Sequence, residues 1–285
     1  MENETFNYTE AFSRNIGLIS AEEQERLRTF TIAIPGMGGV GGIDLISLVR
    51  QGFEKFKIAD LDIYEQKNFN RQYGARVETV GRSKVEVMKE EALKINPNCQ
   101  IEIFPEGISE SNIDTFLKDV DLSVSGIDAF AVDIRQMFVN KSLAANIPVL
   151  DVGPIGLGTA FLIFMPGGPN FDKFFAVTKT TPYEEKLLSF FIGLVPKMLQ
   201  RSYMKRVNLK EKRGPSSIGS IDLCAGIVTI YALKILLKKG TVRAVPYYHQ
   251  FDVMKEKYVT KKLWFGNKNP LQKLKIRFAK LLIRD

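Results

Sequence analysis

The sequence predicts an α/β fold: a Rossmann-like, largely parallel sheet with helices on both faces, followed by an antiparallel C-terminal extension. Three observations predict it. Short β-branched runs alternate with amphipathic stretches from Thr29 to Val152, the pattern of strand–helix–strand units. The first run ends in a glycine loop, Gly36-Met37-Gly38-Gly39-Val40-Gly41-Gly42. The second run closes on Asp60, about twenty residues past the glycines, where a ribose-binding carboxylate belongs.

Taken in order, residues Ser20 to Arg28 read as a helix, with Ser20 as N-cap and Glu23 at the capping-box position. Thr29–Ile34 reads as the first buried strand. A helix follows from Gly39 to Arg50, turning Ile43, Leu45, Ile46 and Val49 to the sheet and stopping at Gln51-Gly52. The theme then repeats: strand Lys57–Asp60, helix Arg82–Lys94, strand Gln100–Phe104, helix Ser111–Lys118, strand Asp121–Ser125, helix Phe130–Ala145, strand Pro148–Val152. After Gly153 the pattern changes. Gly158–Met165 reads as a long apolar strand and Pro166-Gly167-Gly168-Pro169 as a turn. Lys186–Leu199 is strongly apolar, Tyr203–Arg213 is basic, and Gly214-Pro215-Ser216-Ser217 reads as a hinge. Ile218–Lys239 returns to helix, stopped by Gly240. Tyr247–Val253 and Lys257–Trp264 form a closing hairpin. Pro270–Arg284 is a basic amphipathic helix with apolar positions Leu271, Leu274, Phe278, Leu281 and Leu282. The organisation is an arm and helix (1–28), a Rossmann-like core expected to bind a nucleotide (29–165), a crossover region (166–217) and a C-terminal helix, hairpin and tail (218–285).

A chain of 285 residues, 45% hydrophobic, can bury a large core. It has no run of about twenty uninterrupted apolar residues, and its acidic N-terminus lacks the pattern of a secretory signal, so a cytoplasmic protein is expected. Two cysteines without C-x-x-C spacing and a single histidine argue against both a disulfide framework and a structural zinc site. The net charge of +8 is lopsided: residues 1–200 carry 20 basic against 27 acidic side chains, residues 201–285 carry 20 against 5. Such a basic third suits an acidic partner, tRNA or another anionic surface, or simply solvation.

A glycine loop between strand and helix brings backbone N–H groups and a helix N-terminus up to phosphates. No Gly-Lys-Ser/Thr follows, so this is not a Walker A loop and the countercharge must come from elsewhere. Arg71, in the segment after the second strand, and Lys84, opening the next helix, are the candidates. Both belong at the C-terminal edge of the sheet, where open α/β folds bind ligands. A forked guanidinium and an ammonium suit a triphosphate losing pyrophosphate, as charge builds on the leaving oxygens. Asp128, just past the fourth strand, could hold Mg²⁺ through one carboxylate plus the phosphates. Each alone reads equally as a surface salt bridge; their joint placement at strand ends is what points to a site.

These residues resemble the ubiquitin-activating-type enzymes that include ThiF, MoeB and HesA. The resemblance is carried by Gly36, Gly38, Gly39 and Gly41, by Asp60 and Asp62, by Asn68-Phe69-Asn70-Arg71-Gln72, by Gly81-Arg82-Ser83-Lys84, by Asp128 and by Arg135 to Asn140. It is specific from about Tyr8 to Val152. It implies that Asp60 binds the ribose, with Asp62 and Gln72 in the same binding set, and that Asn68, Arg71 and Lys84 hold the phosphates. Asp128 would bind Mg²⁺. Arg14, in the arm Phe12 to Gly17, would reach the γ-phosphate of a partner subunit, implying a homodimer. The implied chemistry is attack of a carboxylate on the α-phosphate of ATP, giving an acyl-adenylate. The implied substrate is the C-terminal glycine of a small ubiquitin-like or sulfur-carrier protein, or a peptide.

Two departures from the family pattern matter. The zinc ribbon with its paired C-x-x-C motifs is absent, and residues 170–216 contain no cysteine to take the acyl group as a thioester. The adenylate is therefore expected to pass directly to an external nucleophile. Cys99 and Cys224 read as buried packing residues, and His249 as a structural hydrogen-bonding group. The segment around Leu187 to Val195 has three readings: a helix in a dimer core, a groove for a partner's tail, or a membrane-surface element. Two other functions also stay open: a non-catalytic partner subunit, and an NAD-dependent oxidoreductase, which leaves Arg71, Lys84 and Arg14 without a task.

Overall fold

The apolar runs become central strands because both faces of the sheet are covered. The computed structural model describes residues 6–205, 211–212 and 214–284. Among these, β1 (Thr31–Pro35), β2 (Lys55–Ala59), β3 (Gln100–Phe104), β4 (Leu122–Val124), β5 (Val149–Ile155), β6 (Gly158–Phe164), β7 (Tyr247–Asp252) and β8 (Lys257–Lys262) make one sheet. Its order is β3-β2-β1-β4-β5-β6-β7-β8. The first five strands are parallel, and β6, β7 and β8 add antiparallel to one edge. Strand alternation divides the core: Ile32 and Ile34 pack on one face of β1, and Ala33 on the other.

The helices are α1 (Tyr8–Ala11), α2 (Ala21–Leu27), α3 (Gly39–Gln51), α4 (Lys84–Ile95), α5 (Ile113–Phe116), α6 (Val132–Ala144), α7 (Phe171–Phe175), α8 (Tyr183–Leu194), α9 (Ile218–Leu236) and α10 (Pro270–Arg284). One core lies beneath α3, α4 and α9, and the other beneath α5 to α8. The capping box of α2 forms as expected: Glu23 N donates to Ser20 Oγ at 3.2 Å and Ser20 N to Glu23 Oε2 at 2.8 Å. α3 stops at Gly52, whose φ of 103° only glycine adopts freely.

Some elements differ from expectation. The helix expected at Ser111–Lys118 shrinks to Ile113–Phe116, because the Asn112 side chain accepts from Ser109 N and donates to Gly107 O, drawing the preceding residues into a turn. α7 falls in a region that sequence periodicity left unassigned; it is a single Phe-rich turn capped by Asn170. The apolar stretch after Lys186 is helical, beginning at Tyr183. Its Leu187, Phe190 and Leu194 join the chain's own second core, alongside Phe171 and Phe175. α9 has the length and hydropathy of a membrane span, yet Ile221, Cys224, Val228 and Ala232 are buried, and Cys224, Val228 and Ala232 belong to the first core. The basic stretch Tyr203–Arg213 lies largely outside the described residues.

Candidate active site

The C-terminal ends of β1, β2, β4 and β5 open into one cleft of about 1530 Å³. Gly36, Gly38, Gly39 and Val40 line it. The glycines are required by close approach of two loops: a Cβ on Gly41 would lie 1.8 Å from Gly36 O, and one on Gly126 2.3 Å from the same oxygen. Gly38 differs, since a Cβ there would meet nothing nearer than Gln72 Nε2 at 3.7 Å; its missing side chain leaves cleft space open. No side chain caps α3, so its first turn offers backbone N–H groups to a ligand.

Asp60 ties this loop to the end of β2. Its carboxylate accepts from Met37 N at 2.6 Å and from Asp62 N at 2.8 Å. Burial raises its pKa, opposed by the nearby Lys84 charge. Lys84 is only 5% exposed and donates to Asp62 Oδ2 at 2.9 Å. Asn68 is buried and its Oδ1 accepts from Glu65 N. The Arg71 guanidinium donates to Lys67 O at 3.0 Å and Asn70 Oδ1 at 2.8 Å. Gln72 is buried with its Oε1 unpartnered. Asp128 is exposed and accepts from Phe130 N at 2.7 Å.

Asp60, Asp62, Asn68, Arg71, Gln72, Lys84 and Asp128 all line this cleft with the glycines. Arg14 does not: it is exposed on the N-terminal arm, outside the cleft of its own chain. Among the described residues no three His, Cys, Asp or Glu side chains group as a metal site. Asp128 supplies a single hard oxygen donor, which fits Mg²⁺ only with phosphates and water completing the shell.

The cleft holds a buried ion pair that sequence reasoning did not assign to the site. Arg135 of α6 donates to Ser125 Oγ at 2.8 Å, to the Asp151 carboxylate and to the Ile127 carbonyl, and its guanidinium lies 4.9 Å from the Phe190 ring centre. Burial pushes the Asp151 pKa up while Arg135 opposes it. Asp151 Oδ2 and Arg135 Nε have no partner. A lone acid inside an otherwise apolar strand, Val149 to Val152, was the available signal. One wall of the cleft is apolar, contributed by Leu188, Phe191, Leu194, Val195 and Met198. Cys99 and Cys224 are buried with thiols pushed up by burial, and His249 bonds Thr260 Oγ1 and Arg243 O, so all three have structural places.

The model of the ThiF family matches residues 12–273. A probable molybdopterin-synthase adenylyltransferase of Porphyra purpurea is 28% identical over 267 residues, covering 90% of this chain and 66% of that protein. The tRNA threonylcarbamoyladenosine dehydratase of Bacillus subtilis is 32% identical over 140 residues, covering 49% of this chain and 54% of the relative. The chain thus spans between about half and two thirds of these relatives. Among solved structures, E. coli MccB with MccA superposes with a TM-score of 0.67 at 17% identity, covering 95% of this chain and 76% of that one. The same enzyme with ATP gives 0.61 at 19% identity, covering 86% and 66%. At these identities the likeness is one of fold.

Proposed function

The chain belongs to the ThiF family, and from that premise we propose that it adenylates a carboxylate with ATP and releases pyrophosphate. The observation that carries the reading is the convergence of Arg71, Lys84 and Asp128 on the cleft that the glycine loop lines. A triphosphate laid along the start of α3 meets backbone N–H groups at one side and the Arg71 and Lys84 cations at the other. Asp60, with both oxygens steadied by backbone N–H groups, turns its remaining lone pairs to the ribose. Gln72 and Asn68 line the path between them.

In this reading Arg71 and Lys84 stabilise the charge that grows on the departing pyrophosphate, while Asp128 holds Mg²⁺ against the phosphates. The enzyme supplies position and charge; the incoming carboxylate is the nucleophile. Its source is the C-terminal glycine of a ubiquitin-like or sulfur-carrier protein, or a peptide end, drawn in along the apolar wall of Leu188 to Met198. Residues 170–216 hold no cysteine, so the acyl-adenylate passes to an external nucleophile. Arg14 acts on the site of a second copy in a homodimer, in a cytoplasmic setting where ATP is available.

Isotope exchange between pyrophosphate and ATP tests the reading. Exchange that depends on an added Gly-Gly-ending protein or peptide supports it; silence across ubiquitin-like, sulfur-carrier and peptide carboxylates counts against it. Competition between ATP and NAD for the cleft separates the reading from a dehydrogenase, which leaves Arg71 and Lys84 without a task.

A further inference from the structure

α10 docks with its amphipathic pattern turned inside out. Leu271, Leu274, Phe278 and Leu281 share one stripe at helical spacing, yet they are 58–69% exposed. The face toward the protein carries Gln272 and Lys275 beside half-buried Ile276 and Ala279: Gln272, 1% exposed, donates to Ile192 O at 3.0 Å, and Lys275 Nζ donates to Pro196 O at 2.7 Å. Lys273 and Arg277 form a basic stripe, exposed beside the apolar one, and Lys268 is exposed one turn before the helix. Trp264 and Phe265, 59% and 77% exposed, stand at the N-terminal end of the same helix. Residues 270–284 contain no acid.

We infer that α10 and the Trp264-Phe265 turn dock the protein on an anionic lipid bilayer, the apolar stripe entering the headgroup–acyl boundary and the basic stripe meeting the headgroups. A membrane surface offers anions and an apolar interior side by side, matching the two adjoining stripes. A second copy matches less well: pairing the apolar stripes of two such helices leaves both basic stripes at the rim of the pair with no acid on either helix to meet them. The inference is independent of the adenylation reading.

The test is flotation of the full chain with vesicles of phosphatidylcholine alone and of phosphatidylcholine with phosphatidylglycerol. Trp264 is the only tryptophan, so its emission reports directly on entry. Association with the anionic vesicles at low salt, a blue shift of that emission and release at high salt are expected. Lys273→Gln with Arg277→Gln should weaken partitioning about 25-fold, from about fivefold per charge. Leu274→Ser with Phe278→Ser should abolish the blue shift while the melting temperature is kept. Absence of binding to anionic vesicles, or binding unaffected by Leu274→Ser with Phe278→Ser, overturns the inference. So does light scattering in which those serine substitutions convert a dimer to a monomer, since the stripe then belongs to a second copy.

Discussion

Lys84 separates charge from packing more cleanly than any other side chain in the cleft. Its ammonium is 2.9 Å from Asp62, whose side chain is 59% exposed, so removing the ammonium leaves a carboxylate that water can solvate. The structural cost of Lys84→Ala is therefore mostly lost packing of the buried stem, about 2 kcal/mol for three methylenes, which at this chain length lowers the melting temperature by about 4–8 °C. The functional cost is larger. A preorganised cation facing the leaving pyrophosphate in a sheltered cleft is worth about 3 kcal/mol, or about two orders of magnitude in rate. Lys84→Met keeps the stem and deletes only the charge. Pyrophosphate–ATP exchange should fall about 100-fold in both variants, with Lys84→Met melting within about 2 °C of the parent. Exchange by Lys84→Met within threefold of the parent would refute the phosphate-clamp assignment whatever the behaviour of the alanine variant.

Gly41→Ala should cost about 3 kcal/mol or more, because its Cβ meets Gly36 O at 1.8 Å; calorimetry should show a melting temperature lowered by at least about 6 °C. Gly38→Ala should leave melting unchanged and weaken ATP binding in titration calorimetry, since its methyl enters open cleft space; unchanged affinity would remove the phosphates from that corner. Asp44, fully buried on α3 with neither oxygen partnered, has its pKa pushed well above the usual carboxylate range by burial. Its contribution to stability is present below the unfolded carboxylate pKa and lost as pH rises through the raised folded value, so Asp44→Asn should match the parent at pH 4 and melt higher at pH 8. Parallel melting curves for the two proteins across that range would contradict this. Mixing Arg14→Ala chains with Lys84→Ala chains should restore exchange above either parent, through one complete site per mixed dimer; no recovery would mean that the arm does not act between subunits.

Much of the fold was legible because its signals are local. The capping residue Ser20, the stop at Gly52 and the alternation of Ile32, Ala33 and Ile34 each act within a few residues, and tertiary packing agrees with them. The cleft residues were legible for a related reason: in a parallel sheet every strand ends on the same edge, so Asp60 after β2 and Asp128 after β4 meet without further information. The Arg135–Asp151 pair was not. Its partners sit on α6 and β5, and their contact depends on how that helix settles against that strand, which no spacing rule specifies. Asp44 was missed because a single acid within an amphipathic helix reads as solvent-facing.

The orientation of α10 shows where periodicity stops informing. Hydrophobic spacing states which residues share a face; it does not state which face the rest of the protein needs. Here the need comes from α8, whose last turn leaves carbonyl groups without intrahelical donors, as every α-helix does. Gln272 and Lys275 supply those donors to Ile192 O and to Pro196 O just beyond the helix. A leucine face laid against the same carbonyls would bury acceptors with no hydrogen bonds, at about 1–3 kcal/mol each. The unsatisfied end of one helix thus selects the side of the other that carries Gln272 and Lys275, and the Leu271–Leu274–Phe278–Leu281 stripe of α10 is left outward by elimination.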